Sequence, residues 1–588
     1  MNSEWSLDVL YKGFDDPKYA QDLALLDACI AKVNEFAGKL PEMQPIEVLK
    51  TYIDDSERMT QLIMDLFEYA SLRSSVNTKD VEAASVMGRL MGKLSATAKA
   101  ETAIKKCIAG IENLDELIAS DPVLTEYEYL LKNIREADKH LLSEDSEQII
   151  ALYNISGASA WSDLHSYLTS SVTADYRGEK LNLSSVRNLA YDPDPAVRRD
   201  AYEAELACYK KIEDSIAFSL NSIKLEVINN ARLRGFESPL DQTLFDAHMT
   251  RETLDALLGA MNDHFDLFRR YLRVKAKALG HKNGMPWYDM FAPMGKSDKK
   301  YTAEDAKAYL LNIFKGFDKD LHDMVERAFD EAWIDFYPRE GKVGGAFCAG
   351  LSGHNQSRVL TNFDGQFTDI VTLAHELGHA FHNLNIESHR PLNNDYSMPV
   401  AETASTFNEN VVMNAAIDGA SSDEEKLFLI ESQLMDTTQI MCDIYSRYLF
   451  ETSVFENREN DFMPAERLSE LMLDAQKKAY GDGLDWNALH PYMWLCKGHY
   501  YSTLSFYNFP YAFGGLFARG LYAKYREEGP SFVPTYRKLL YTTPIASVED
   551  TAKVAGIDLT KKDFWEKSLL SYEKNVDEFE RLVDKLYK

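Results

Sequence analysis

Apolar residues recur every three or four positions along most of this chain. Leu23, Leu26, Ile30, Val33 and Phe36 share one helical face, as do Leu49, Ile53, Met59, Leu62, Ile63 and Leu66, and the same period runs from Val81 to Ile111. One apolar face at a period near 3.6 predicts amphipathic helices that bury that face, here as antiparallel neighbours. The pattern breaks from Val172 to Asn182, and Pro193 with Pro195 opens a new helix, so a soft boundary is expected near Asn182. Pro286 to Gly295 is aromatic and loop-like, and helical periodicity returns from Ser421 to Tyr480. Phe336 to Asp364 is the one stretch with convincing strand character. No internal repeat or low-complexity tract interrupts the chain.

Composition narrows the class. A chain of 588 residues, 45% of them hydrophobic, can bury a large core, and length alone suggests three or four domain-sized units. Its 29 Gly and 18 Pro make 47 residues, near 8%, which is low for a turn-rich β architecture and favours helix. The net charge of -29 disfavours nucleic acid or an anionic membrane as main partner, since both reward clustered Lys and Arg. Cys29, Cys107, Cys208, Cys348, Cys442 and Cys496 lie far apart without a C-x-x-C pair, and read as reduced thiols held mostly in the core. The first residues lack the basic and apolar regions of a secretory signal, and no run of about 18 apolar residues occurs. The expectation is a soluble cytoplasmic protein, with oligomeric state left open.

The chemistry concentrates at His375-Glu-Leu-Gly-His379. Residues four apart on a helix lie on one face about 5 to 6 Å apart, so two imidazoles can reach one Zn²⁺. Glu376 then borders the metal without ligating it, and can take a proton from an attacking water and pass it to a leaving amine. Thr368 or Asp369 can cap the helix, and Ile370, Leu373, Ala374 and Leu377 supply the stripe that buries it. A catalytic zinc needs a third protein ligand. Glu402 is the best candidate, in a segment where Ser397 can cap and Pro399 suits a first helical turn. Glu409, seven residues on, shares its face and can accept a hydrogen bond from a ligating imidazole. His354 and His382 are near in sequence, but a tetrahedral site does not need them.

His375-Glu-Leu-Gly-His-Ala-Phe-His382 followed by Ala401-Glu-Thr-Ala-Ser-Thr-Phe-Asn-Glu409 resembles the oligoendopeptidase F branch of the thimet oligopeptidase-like zinc metallopeptidases. Further similar segments are His140 to Glu147, Gly157-Ala-Ser-Ala-Trp161, Asp192-Pro-Asp-Pro-Ala-Val-Arg-Arg199, Gly345-Ala-Phe-Cys348 and Leu360-Thr-Asn-Phe363, so the likeness covers roughly residues 115 to 570. It implies a mainly α, two-lobed zincin metallopeptidase with a deep central channel and a small β-sheet beside the metal helix. It divides the chain into a helical region 1–114, an oligoendopeptidase F N-terminal-like region 115–182 and a catalytic region 183–588. It also implies one zinc per chain held by His375, His379 and Glu402, and oligopeptide substrates.

In such enzymes a His and one or more Tyr from a late segment steady the oxyanion, and the matching stretch here is Gly498 to Gly514. His499 and Tyr511 are the expected donors and Tyr507 a further one, although an aromatic stretch that also holds Tyr500, Tyr501, Phe506, Phe509 and Phe513 could equally be core. Asn508 and Pro510 interrupt the denser Tyr and Gly run of thimet oligopeptidase, which leaves the choice of phenol open. The implied substrate-binding edge is Ser357 to Gly365, and Cys348 could approach the cleft beside it. The resulting expectation is a zinc endopeptidase for short peptides with Glu376 as general base. A helical zinc carboxypeptidase or other exopeptidase would share the metal motif, and a peptide-binding protein without turnover would have no need for Glu376.

Overall fold

The computed structural model describes residues 2–296 and 299–587, and nearly all of its regular structure is helical. The apolar faces close into two cores. One runs from Leu10 to Ile134 and takes in Leu351, while the larger runs from Ala158 to Val583. The helical run from Val81 is two helices, Val81–Leu94 and Ala98–Ala109, separated by a single 3-10 turn at Ser95–Thr97. As expected, Pro195 sits in the first turn of Pro195–Tyr209, where its missing N–H costs nothing, and the Asp194 side chain caps that helix. Among the described residues no helix is long and apolar enough to cross a membrane.

Two corrections concern strands. The punctuation zone is a small antiparallel hairpin, Thr173–Tyr176 with Glu179–Asn182, closed by Arg177 and Gly178, both at positive φ (49° and 89°). That backbone is the one a two-residue hairpin turn requires, but Arg-Gly lacks the usual Asn or Asp signal. In the second sheet, Gln356–Leu360 lies in the middle, between Ile334–Asp335 and Phe347–Leu351. Ser357 to Leu360 are buried, so this segment is not the edge expected for substrate. It pairs along its whole length with Phe347–Leu351 and, at Val359 and Leu360, with Ile334–Asp335 as well. Of the two outer strands, Ile334–Asp335 is buried and Phe347–Leu351 is mostly half-buried, so the accessible edge is Phe347–Leu351.

That edge strand joins the two cores through the alternation of its faces. Phe347, Ala349 and Leu351 pack on the amino-terminal core, whereas Cys348 packs on the larger one. Polar ties cross the same boundary: Arg390 donates to both oxygens of Glu57 (2.6 and 2.7 Å), the Gln61 amide to Ser352 O (2.9 Å), and His354 meets Asp65 at 3.0 Å.

Phe367–Ile386 lies in the larger core with Ile370, Leu373, Ala374 and Leu377 fully buried. Its cap is Gln366, with Asp369 accepting the Gln366 N–H at 2.9 Å, so Asp369 acts from the third position and Thr368 does not cap. The helix packs against Thr403–Asp418, and Asn408 donates to Ala374 O (3.2 Å) across the pair. Gly378 sets their separation. A Cβ there would sit 2.5 Å from Ser405 Cα and 2.6 Å from Ala404 O, both backbone atoms that cannot rotate away.

Gly378→Ala should therefore force the helices apart and cost about 1–3 kcal/mol, the usual penalty of overpacking. Gly92→Ala, in an exposed helical position with nothing within 4 Å of the added methyl, should instead stabilise by about 0.4–1 kcal/mol. Urea unfolding midpoints of the two variants check the contrast.

Candidate active site

Two turns of one helix and the N-cap residue of another converge on a point. The His375 and His379 rings lie 4.9 Å apart at 82°, and Glu402 Oε2 is 3.3 Å from His375 Nε2 and 3.5 Å from His379 Nε2. One ligand atom from each lies within 4.8 Å of the others, a set of two imidazoles and a carboxylate that suits a single zinc-like cation. Glu402 is the N-cap residue of Thr403–Asp418. A 3-10 turn, Met398–Val400, takes the place of the helical turn expected at Pro399, and Ser397 makes no side-chain cap. Ser405 donates to Glu402 Oε2 (2.8 Å) and holds the carboxylate toward the imidazoles. Glu409 Oε1 meets His375 Nδ1 at 2.6 Å, which leaves Nε2 as the metal-facing nitrogen.

The electrostatics follow from burial and this pairing. Burial alone would lower the His375 pKa, but hydrogen bonds to Glu402 and Glu409 overcome it and raise it well above the usual value. Burial and the charge of His375 push His379 down to about 4. Glu402 is raised by burial but brought down to about 2 by the two imidazoles and Ser405. Glu376, only 5% exposed, makes no such hydrogen bond, and burial raises it to about 7. The neighbouring carboxyls thus have opposite tendencies, one held ionised and one ready to carry a proton.

A cavity of about 310 Å³ fronts the group, lined by Phe347, Cys348 and Gly350 of the edge strand, by Asn383 and Tyr396, and by the four site residues. The Cys348 thiol faces it. Burial and the Glu376 charge raise its pKa well above the usual range, so it stays a neutral thiol. His354 and His382 are not part of the metal group. His382 is fully buried, stacked on Tyr396 (4.1 Å) and hydrogen-bonded to Thr543 Oγ1 (2.8 Å).

The late segment divides as its alternatives required. Tyr500, Tyr501, Phe506, Phe509 and Phe513 are core, while exposed His499 and half-buried Tyr507 and Tyr511 form a cluster outside it. Ring centroids are 5.1 Å apart for His499 and Tyr507, 5.3 Å for Tyr507 and Tyr511, and 6.3 Å for His499 and Tyr511. Tyr511 lies one turn before Gly514 on Phe509–Glu528, and a Cβ on Gly514 would meet Glu402 Cβ at 2.8 Å. Residues three apart share a helix face, so Tyr511 is on the side turned to the metal group. Burial, the Tyr507 hydroxyl and the Glu402 charge raise its pKa, which keeps the phenol protonated and able to donate.

A strained turn presents these phenols. Phe506 has φ 54°, rare for a bulky side chain, and Asn508 N donates to Phe506 O at 2.6 Å around Tyr507. Asn508 also caps the following helix through Phe509 N (2.7 Å) and donates to Glu451 Oε2 (2.9 Å). The other Glu451 oxygen accepts from Lys224 Nζ at 2.7 Å, and both charged groups are buried.

A model of peptidase family M3 matches residues 188–570. The chain belongs to that family. An oligopeptidase F model matches residues 109–173, which puts this M3 metallopeptidase in the oligopeptidase F branch. Oligopeptidase PepF of Bacillus subtilis is 24% identical over 99% of this chain and 87% of its own length. The chromosomal oligoendopeptidase F of Lactococcus lactis subsp. cremoris is 28% identical over 69% of this chain and 68% of its own. The crystal structure of oligoendopeptidase-F from Enterococcus faecium superposes with a TM-score of 0.71 at 19% identity, covering 97% of this chain and 99% of that one.

Several groups around this M3 site escape a reading by motif. Ser405 was in view only as part of a similar string, and Tyr396 and Asn383 carried no signal. Lys224 and Glu451 did carry one: Lys224 lies with Leu220, Val227 and Ile228 and Glu451 with Val454 and Phe455, and a charge among such residues calls for a buried partner.

Glu409→Gln should lower metal affinity about 10- to 100-fold by weakening the orientation of His375, measured by chelator competition. His382 supplies a pH test elsewhere in the same helix. Its pKa is pushed down to about 3 by burial, against about 6.5 unfolded, so the unfolded chain binds the extra proton and stability falls as pH drops below about 6.5. At pH 5 this group should have removed about 2 kcal/mol relative to pH 7. Chemical denaturation of His382→Gln should lack that component; equal pH slopes for variant and wild type would contradict it.

Proposed function

We propose that this M3 metallopeptidase is a zinc endopeptidase that hydrolyses internal bonds of short, unstructured oligopeptides, with one zinc per chain held by His375, His379 and Glu402. The observation that carries the reading is Glu376: a buried carboxyl with raised proton affinity, beside a metal-binding group and facing its cavity. The donor set suits zinc, which when bound supplies a Lewis acid that polarises a carbonyl and makes water a nucleophile at neutral pH.

The chain's own residues supply the remaining steps. Glu376 takes the proton of the attacking water and delivers it to the leaving amine nitrogen, a role suited to a buried carboxyl that borders the metal group and lines its cavity. His499 and Tyr511 donate hydrogen bonds to the oxyanion as the carbonyl becomes tetrahedral, with Tyr507 supporting Tyr511. The free edge Phe347–Leu351 pairs with the backbone of an extended peptide, so affinity depends little on side-chain identity. Similarity to proteins named oligoendopeptidase F favours internal cleavage over an exopeptidase. All six cysteines are free thiols, which supports a reducing, cytoplasmic setting, and the acidic surface argues against nucleic acid as partner.

Glu376→Gln should keep its zinc, read by metal analysis, and lose turnover by about 10²- to 10⁴-fold, the usual worth of a general base. Tyr511→Phe should lower kcat by about 10²- to 10³-fold with little change in KM. Peptides blocked at both ends should be cut internally, followed by mass spectrometry. Near wild-type turnover by Glu376→Gln would sink the mechanism, and stalling on blocked ends would favour the exopeptidase.

A further inference from the structure

A second cavity, about 500 Å³, lies next to the metal site. Tyr396 lines both, and Tyr507 and Pro510 form part of the new wall, so a peptide positioned at Glu376 can place a neighbouring side chain in it. Most of the wall is apolar, including Leu130, Val227, Pro239, Leu504 and Phe509. Its charges are of one sign. Asp246 and Asp395 both line it and both are solvent-exposed, while among the described residues no Lys or Arg lines it.

Neither carboxylate is committed to a cation. Among the described residues no ion pair involves Asp246 or Asp395, and Asp395 accepts the N–H of Tyr396 at 2.9 Å. Arg234 is the cation nearest in effect on Asp246, and it holds both oxygens of Glu147 at 2.7 Å. His248, also in the wall, is kept neutral by burial. Apolar walls with unpaired carboxylates match a side chain that has a long methylene stem and a cationic head.

We infer that this cavity is a specificity subsite for a lysine or arginine side chain of the substrate, the stem lying on the apolar wall and the head meeting Asp246 and Asp395. The inference rests on the proposed peptidase reading and adds a substrate preference to it. The acidity of the whole chain acts in the same direction by drawing cationic peptides toward it. The neutral alternative, a large apolar residue, would fill the walls but leave both carboxylates without a counter-charge.

The test uses the zinc-loaded full chain and internally quenched peptides, acetylated and amidated at their ends so that a terminal ammonium cannot mimic the side chain. Lys, Arg, norleucine and Glu are placed in turn at each position within three residues of the cleaved bond. At one position Lys and Arg should exceed norleucine in kcat/KM by at least about tenfold, a difference of 1.4 kcal/mol. In Asp246→Asn/Asp395→Asn that ratio should fall to about one, and Asp246→Lys should shift preference toward Glu, a gain that misfolding cannot produce. Absence of a Lys or Arg preference at every position, or its survival in the double variant, overturns the subsite. The peptidase reading is judged separately, by comparing cleavage of the norleucine peptide by the wild-type enzyme and by Glu376→Gln.

Discussion

The structure depends on how closely two helices approach at Gly378. His375 and His379 are spaced by the helix itself, but a third ligand has to come from elsewhere, and Glu402 reaches them because Thr403–Asp418 lies against Gly378 with no side chain between. On the other side of Glu402, Gly514 lets Phe509–Glu528 come equally close, and that helix brings Tyr511. Two glycines therefore bring metal group and phenol together. Each is costly in a helix interior by itself, about 0.5–1 kcal/mol relative to Ala, and close packing explains the presence of both.

Burial turns this geometry into chemistry. Glu402 sits between two imidazoles and stays ionised, whereas Glu376 faces the cavity beside Cys348 and holds its proton more tightly. Desolvation acts on both, and hydrogen bonds decide which way each group moves. Away from the metal group, the buried Lys224–Glu451 pair fixes Asn508 and through it the strained turn at Phe506. Removing one partner of such a pair would leave a charge unpaired in the core, so the turn is tied to the stability of the larger core.

How much was legible in the sequence varied with the range of the interaction. His375, Glu376 and His379 could be read directly because four residues on a helix are a local fact, and the stripe of Ile370, Leu373, Ala374 and Leu377 gave the buried face. Glu402 and Glu409 followed from needing a third ligand and from a seven-residue spacing. The position of a strand within its sheet did not follow, since Ser357 to Leu360 has the same local pattern at an edge or at the centre. The hairpin at Arg177-Gly178 was hidden because its turn uses a residue that rarely adopts positive φ. Tyr511 was set apart from Tyr500 and Tyr501 by the resemblance alone, since local pattern does not distinguish a phenol at the core's margin from one the core covers. The cavity with Asp246 and Asp395 gathers segments more than a hundred residues apart, and no motif announces it.

X-ray absorption at the zinc edge of the metal-loaded protein tests the central claim most directly. The account predicts one zinc per chain with two imidazole nitrogens at about 2.0–2.1 Å, oxygen completing the shell, and no sulfur. A sulfur scatterer at about 2.3 Å, which would bring Cys348 onto the metal, or a shell with fewer than two imidazoles, would contradict it.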